Sequence, residues 1–214
     1  MTRRLLRIAM PGLRPENSLI QSIKETLMSR ITLQTLESAP ADSQPLLAKA
    51  KAKNGFIPNL LAVLGNAPVA LETYLTVSEI NGRSSFDLAE RETVQITAAA
   101  LHGCSFCVAG HTAIAYKQGK LPEALVQALR AQTALPDPRL DALAVFTRAV
   151  IQGRGAVSDA ELQAFRSAGF GEQQVLEVVL GVSLATLCNF ANSLAQTELN
   201  PELASYRWQP AQQG

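Results

Sequence analysis

The chain has 214 residues, of which 47% are hydrophobic, 17% charged and 5% aromatic, and its nineteen basic and eighteen acidic side chains leave a formal charge of +1. That length buries a core without disulfide staples, and a balance rich in alanine and leucine but poor in aromatics suits packed helices rather than strands or disorder. Near-neutral charge removes the electrostatic footprint expected of a protein that binds nucleic acid or an anionic membrane.

The basic start is broken by Arg7 and stopped by Pro11, too short for a secretory signal, so a cytoplasmic setting is expected. Residues 1–30 show no periodicity and are expected to form an arm; residues 31–210 are expected to form one helical domain. Pro45 opens a helical pattern that Asn54 and Gly55 stop, Pro58 opens another that ends near Gly65, and Pro68 and Gly82 bracket a third. Asp87 to Glu90 has the form of a capping box and predicts a helix from about Leu88 to His102. Gly103 interrupts, helical period resumes from Cys104 to Gln118, and Gly119 provides a stop. Pro122 opens a helix to about Thr133, Pro138 precedes one ending at Gly153, and Ser158 to Glu161 is a second capping box. Glu172 to about Gln196 reads as a long, mostly apolar and hence central helix. Its longest apolar run, Val178 to Cys188, is about half of the roughly 20 residues a bilayer crossing requires, so no span is expected. No alternating run of strand length is present, and the expected class is all-α.

Three cysteines cannot all pair within one chain, and the Cys-x-x-Cys spacing of Cys104 and Cys107 in a reducing compartment points to metal binding or redox chemistry. At about 100° per residue Cys104, Cys107 and His111 share one narrow helical stripe, which brings two sulfurs and an imidazole to one face. A helix starting near Cys104 would stabilise a thiolate through its free N–H groups and dipole. Acidity alone achieves little. A fall in thiol pKa from about 8.5 to about 6.5 raises the thiolate fraction roughly 24-fold at neutral pH, but a Brønsted coefficient near 0.45 cuts nucleophilicity about 8-fold. Reduction of a peroxide also expels a poor leaving group, so a proton donor contributes more, and His111 is placed to be one. On the preceding helix Glu92 lies on an apolar arc with Leu88, Ile96 and Ala99, whereas Glu90 points away, so Glu92 is expected to be the buried carboxylate. In one unbroken helix it would stand about 18 Å from Cys104, and the chain must therefore bend at His102 and Gly103.

Glu92, eleven residues, Cys104-Ser-Phe-Cys107, three residues and His111 together resemble the active-site signature of the alkylhydroperoxidase D family, within the carboxymuconolactone decarboxylase superfamily. Gly55-Phe-Ile-Pro-Asn-Leu-Leu followed by Asn66-Ala-Pro is similar to the opening segment of its peroxidase-related branch. The resemblance covers roughly Asn54 to Gly119. It implies a compact helical fold, a peroxidatic Cys107 that forms a sulfenic acid, a resolving Cys104 that converts it to a disulfide, and a proton relay through Glu92 and His111. It implies no cofactor and no metal, but a hydroperoxide substrate, a reducing dithiol of lipoyl or thioredoxin-like kind, and a homo-oligomer, trimeric or hexameric with a dimer as the lesser alternative. One departure stands out: the family prototype has a further histidine just before its second cysteine, where this chain has Phe106.

Three other readings compete. A zinc site would draw on His102, Cys104, Cys107 and His111, although one helix does not present its side chains tetrahedrally. A decarboxylase-like acid-base enzyme would make the cysteines passengers, and a non-enzymatic oligomeric scaffold would leave the thiols as packing groups. Glu92 could instead pair with an arginine such as Arg83 or Arg91, His102 suits a helix-end role, and Cys188 suits the core.

Overall fold

The computed structural model describes residues 29–210, and the arm expected over residues 1–30 lies, apart from Ser29 and Arg30, outside them. Among the described residues the helices run α1 Gln44–Asn54, α2 Asn59–Leu64, α3 Pro68–Asn81, α4 Leu88–Leu101, α5 Ser105–Lys117, α6 Glu123–Ala131, α7 Pro138–Gln152, α8 Asp159–Ser167 and α9 Glu172–Ala195, followed by a 3-10 turn Pro201–Tyr206. No strand occurs among them, as the all-α reading requires.

The start and stop signals act as physical chemistry dictates. Asp87 accepts from the Glu90 N–H at 2.8 Å while the Glu90 carboxylate accepts from the Asp87 N–H at 3.0 Å, and Ser158 and Glu161 form the same reciprocal box on α8. Asp137 caps α7 by accepting from the N–H groups of Arg139 and Leu140. The expected bend is present: α4 ends at Leu101, His102 caps it, and Gly103 takes φ +69°, a left-handed torsion that suits glycine. The Cys104 N–H turns back to the Ala99 carbonyl at 2.9 Å, closing the last turn of α4 as α5 departs.

The bend folds α5 back against α4, which also packs on α7 and α9, so α4 is the helix around which the others gather. Its burial shows this, since every residue from Glu92 to Ala100 is inaccessible. α9 crosses α4 closely at Gly181, where an added Cβ would sit 2.9 Å from Val94 Cγ1, and the Gln95 side chain donates to the Gly181 carbonyl at 2.9 Å.

Three buried clusters result. One surrounds Cys104, Cys107 and Cys188 with Leu47, Leu61 and Leu71; one joins Ile96 to Leu125, Leu129 and Leu140; and one is aromatic. In the last, Phe146, Phe165 and Phe170 stack with ring centroids 4.2 and 4.4 Å apart, and Phe86 meets Phe170 edge-on.

α9 is the expected long, mostly apolar helix packed against the others, but only one of its faces is enclosed. Val178, Leu184, Ala185 and Cys188 are buried, but Leu176, Val179, Phe190 and Leu194 face outward. By length and composition it is also apolar enough to cross a membrane, because the whole helix, not only the run Val178 to Cys188, contributes.

The end of the described chain returns to the α4–α5 junction. Arg130 of α6 donates to Thr112 Oγ1 and to the Tyr206 and Arg207 carbonyls, and the Trp208 indole donates back to the Arg130 carbonyl at 3.0 Å. Leu203 and Trp208 pack on the cysteine-bearing cluster, and Pro210 lies against Gly103.

Candidate active site

Cys104 is not the first residue of α5 but its N-cap, with extended backbone. Its sulfur stands where a capping serine oxygen would stand and accepts the Cys107 N–H at 3.4 Å. The hydrogen bond from the Cys107 thiol, that backbone contact, the Asn192 amide and the charge of His111 hold the Cys104 thiol below its ordinary range, against the opposing effect of burial. Cys107 goes the other way: its bond to Cys104, burial and the neighbouring sulfurs raise its thiol well above the ordinary range. The helix N-terminus thus favours negative charge on Cys104, and Cys107 serves that charge as a donor.

Glu92 is 4% exposed, and its Oε2 lies 2.8 Å from His111 Nδ1. The bend has converted a separation of nineteen positions into a hydrogen bond. Burial disfavours a charged imidazole, but the Glu92 carboxylate and the Cys104 sulfur outweigh it, and the His111 pKa is raised. The His111 side chain remains 27% exposed, so the relay has one end in solvent and the other among sulfurs.

The carboxylate reading needs one correction. Glu90 is buried as well, contrary to the expected contrast with Glu92, because Arg139 of α7 covers it with two bonds at 2.8 and 3.2 Å while it closes the capping box. Periodicity placed the two side chains on different faces; it did not reveal that a second helix covers the other face. Arg91, a candidate partner for Glu92, donates to the Phe86 carbonyl instead.

His102 takes a helix-end position, with its Nδ1 3.0 Å from Asn189 Nδ2 and its ring against Phe190. Among the described residues no three His, Cys, Asp or Glu side chains gather in a way that could hold a metal ion, and His102, Cys104, Cys107 and His111 form no such set. Cys188 packs in the same core as the pair, and burial pushes its thiol up to about 12.

Two contributors were not singled out from the sequence. Asn192 of α9 is buried and donates through Nδ2 to Cys107 Sγ at 3.2 Å. Tyr74 of α3 packs on the cysteine-bearing core, and burial raises its phenol. A signal for the first was available: Asn189 and Asn192 are polar residues in an otherwise apolar stretch, spaced to share a face of α9. A cavity of about 180 Å³ opens beside Cys104, lined by Cys104, Phe106, Asn192, Gln196 and Thr197 among others, with Cys107 behind it in the core.

Residues 68–148, which contain Glu92, Cys104, Cys107 and His111, match the Carboxymuconolactone decarboxylase family. No curated protein matches the chain. Among solved structures, an alkylhydroperoxidase AhpD-core, peroxidase-related protein from Ralstonia eutropha JMP134 superposes with a TM-score of 0.73 at 22% identity, over 82% of this chain and 94% of that one. A peroxidase-related protein from Silicibacter sp. TM1040 gives 0.73 at 19% identity over 84% and 96%. The debrominase Bmp8, solved with 2,3,4-tribromopyrrole, gives 0.68 at 13% identity over 83% and 94%. At these identities the likeness fixes the fold alone.

Proposed function

We propose that this chain is an AhpD-like member of the carboxymuconolactone decarboxylase superfamily and a dithiol peroxidase that reduces hydroperoxides through Cys104 and Cys107 with a Glu92–His111 proton relay. The family match and the fold support the coarser class, peroxidase-related or decarboxylase-like. The observation that carries the finer reading is the adjacency of a capping thiol whose contacts lower its pKa, a second thiol bonded to it, and an imidazole whose pKa a buried carboxylate raises.

In this reading the reduced pair rests with its charge on Cys104 and a proton on Cys107. The Cys107 proton passes across their bond to Cys104, and the Cys107 thiolate attacks the distal oxygen of the hydroperoxide. The O–O bond breaks, Cys107 becomes a sulfenic acid, and the departing alkoxide takes the His111 proton to leave as alcohol. His111 then recovers a proton from the Cys104 thiol. The Cys104 thiolate attacks the Cys107 sulfur, a disulfide forms, and hydroxide leaves as water with the His111 proton. An external dithiol restores both thiols. Glu92 keeps the imidazole oriented and favours its return to the charged form after each transfer, which supplies the proton donor that thiol acidity cannot replace.

A decarboxylase-like reaction would use Glu92 and His111 without the sulfurs, and the Asn192 donor on Cys107 speaks against passenger thiols. The separating experiment counts free thiols in the purified protein before and after one equivalent of hydroperoxide, then after a dithiol. The expected result is loss of two thiols per chain and their return. Unchanged thiols would sink the proposal. The reducing partner belongs to the same proposal, as a dithiol small enough to reach Cys104, as do a cytoplasmic setting and assembly into a homo-oligomer.

A further inference from the structure

Single exposed hydrophobic side chains are ordinary, but a line of them at helical spacing marks a helix that lacks a partner. Among the described residues α9 carries such a line. Leu176, Phe190 and Leu194 are 70%, 59% and 64% exposed, with Leu180 and Leu187 half-buried and Ser183 exposed between them. The six positions step by four, three, four, three and four residues, which is the spacing of a seam that packs against another helix. Phe190 is braced from within by the His102 ring, 5.2 Å away between centroids, so the largest side chain of the stripe is already positioned.

Three features define the partner that fits. No Asp, Glu, Lys or Arg occurs from Val178 to Thr197, and α9 as a whole has no basic residue. A partner of opposite charge, or an anionic lipid surface, would find nothing there to attract it. Ser183, the one polar member of the stripe, donates to the Leu180 carbonyl at 2.7 Å, so its hydroxyl enters a dry interface already bonded. Last, the spacing reads the same from either end. A second α9 laid antiparallel sets Leu176 opposite Leu194, Leu180 opposite Phe190 and Ser183 opposite Leu187, each pair made twice about a twofold axis. The opposed helix dipoles favour the same arrangement.

We infer that the outward face of α9 is the seam of an isologous pair, in which α9 of a second copy of this chain lies antiparallel along the stripe from Leu176 to Leu194. The inference rests on the homo-oligomer reading above and deepens it by naming the face; it is independent of the thiol chemistry. A twofold contact builds a dimer, or a hexamer where a threefold contact joins three such pairs, and excludes a bare trimer. It also brings the subunit boundary toward the reactive centre. Leu194 follows Ser193, and Ser193, Gln196 and Thr197 line the cavity beside Cys104, so the first turn of the second copy's α9 comes to that end of the stripe.

The test measures the mass of the purified full chain by sedimentation velocity over a concentration series, and the parent is expected to sediment as a dimer or hexamer. Leu176→Glu and Leu194→Lys, each alone, set a charge into the seam twice per pair. Each should raise the dissociation constant of the pair at least about a hundredfold. Helical circular dichroism should be retained, because both side chains are exposed in the single chain. The double variant Leu176→Glu with Leu194→Lys places opposite charges face to face across an antiparallel seam, and like charges together across a parallel one. It should therefore pair at least about tenfold more tightly than either single variant. Single variants that keep the parent's mass would place the interface elsewhere and overturn this inference while the homo-oligomer reading stands. A double variant that does not recover would overturn the antiparallel register, and a trimeric parent the twofold contact; either ends the inference. A monomeric parent overturns the homo-oligomer reading as well, and its co-sedimentation with phosphatidylcholine vesicles would assign the stripe to lipid instead.

Discussion

Glu90 and Glu92 lie on the same helix, both buried, and each belongs to a different half of the molecule. Around Glu90 the charges are closed off: the carboxylate completes a capping box, Arg139 covers it, and the guanidinium itself rests 3.9 Å from the centre of the Phe170 ring at the edge of the aromatic stack. Around Glu92 the network stays open. Its partner His111 reaches solvent, two sulfurs share one charge, and Asn192 and Thr197 keep unused hydrogen-bonding capacity. A polar network that satisfies itself serves the fold, whereas one that reaches solvent beside a nucleophile can pass protons. The contrast makes stability and reactivity separable by mutation.

The sharpest break of that separation is Cys107→Ser, expected to reduce peroxide turnover more than about a thousandfold while the melting temperature changes little. Initial rates with tert-butyl hydroperoxide decide it, and turnover within tenfold of the parent would reassign the nucleophile. In the closed half Phe165→Ala removes the middle ring of the stack and should cost about 3–5 kcal/mol, read by urea unfolding, with dimedone labelling of Cys107 still present in the folded fraction.

Glu92→Gln tests the relay and its sign. Glu92 raises the His111 pKa, so the imidazolium of the parent persists above its ordinary value near 6.5, and the alkaline limb of the pH–rate profile lies above that point. Losing the carboxylate should move that limb to lower pH and reduce the rate at neutral pH on the order of tenfold to a hundredfold. The same shift makes a stability statement: the His111–Glu92 pair contributes fully below about pH 6.5 and fades as pH rises through the raised value. An alkaline limb that stays in place in Glu92→Gln would remove Glu92 from the relay. The smallest expected effect is Ser158→Ala in the closed half, about 1 kcal/mol from the lost cap of α8, with turnover unchanged.

Much of this arrangement is legible in the sequence. Capping residues, prolines and glycines mark the helices because they act locally, and the Glu92–His111 contact follows from two helical stripes and a glycine between them. What escapes is what depends on a third element. That Glu90 is covered by Arg139 requires knowing that α7 lies against α4, and that Asn192 reaches Cys107 requires knowing that α9 does. The sharing of charge within the pair turned on a smaller matter, whether Cys104 is the cap or the first residue of α5. Helix ends blur by one or two positions in sequence, and here one position decides which sulfur receives the N–H group.

Arg130 fastens the far end of the chain through two carbonyl oxygens and a hydroxyl, groups that neither gain nor lose protons in the range where thiols and imidazoles titrate. A guanidinium keeps its charge across that range too. The shelter over this side of the reactive centre is therefore blind to acidity, and a change of rate with pH reports proton traffic at the thiols and His111 rather than the protein opening or shutting.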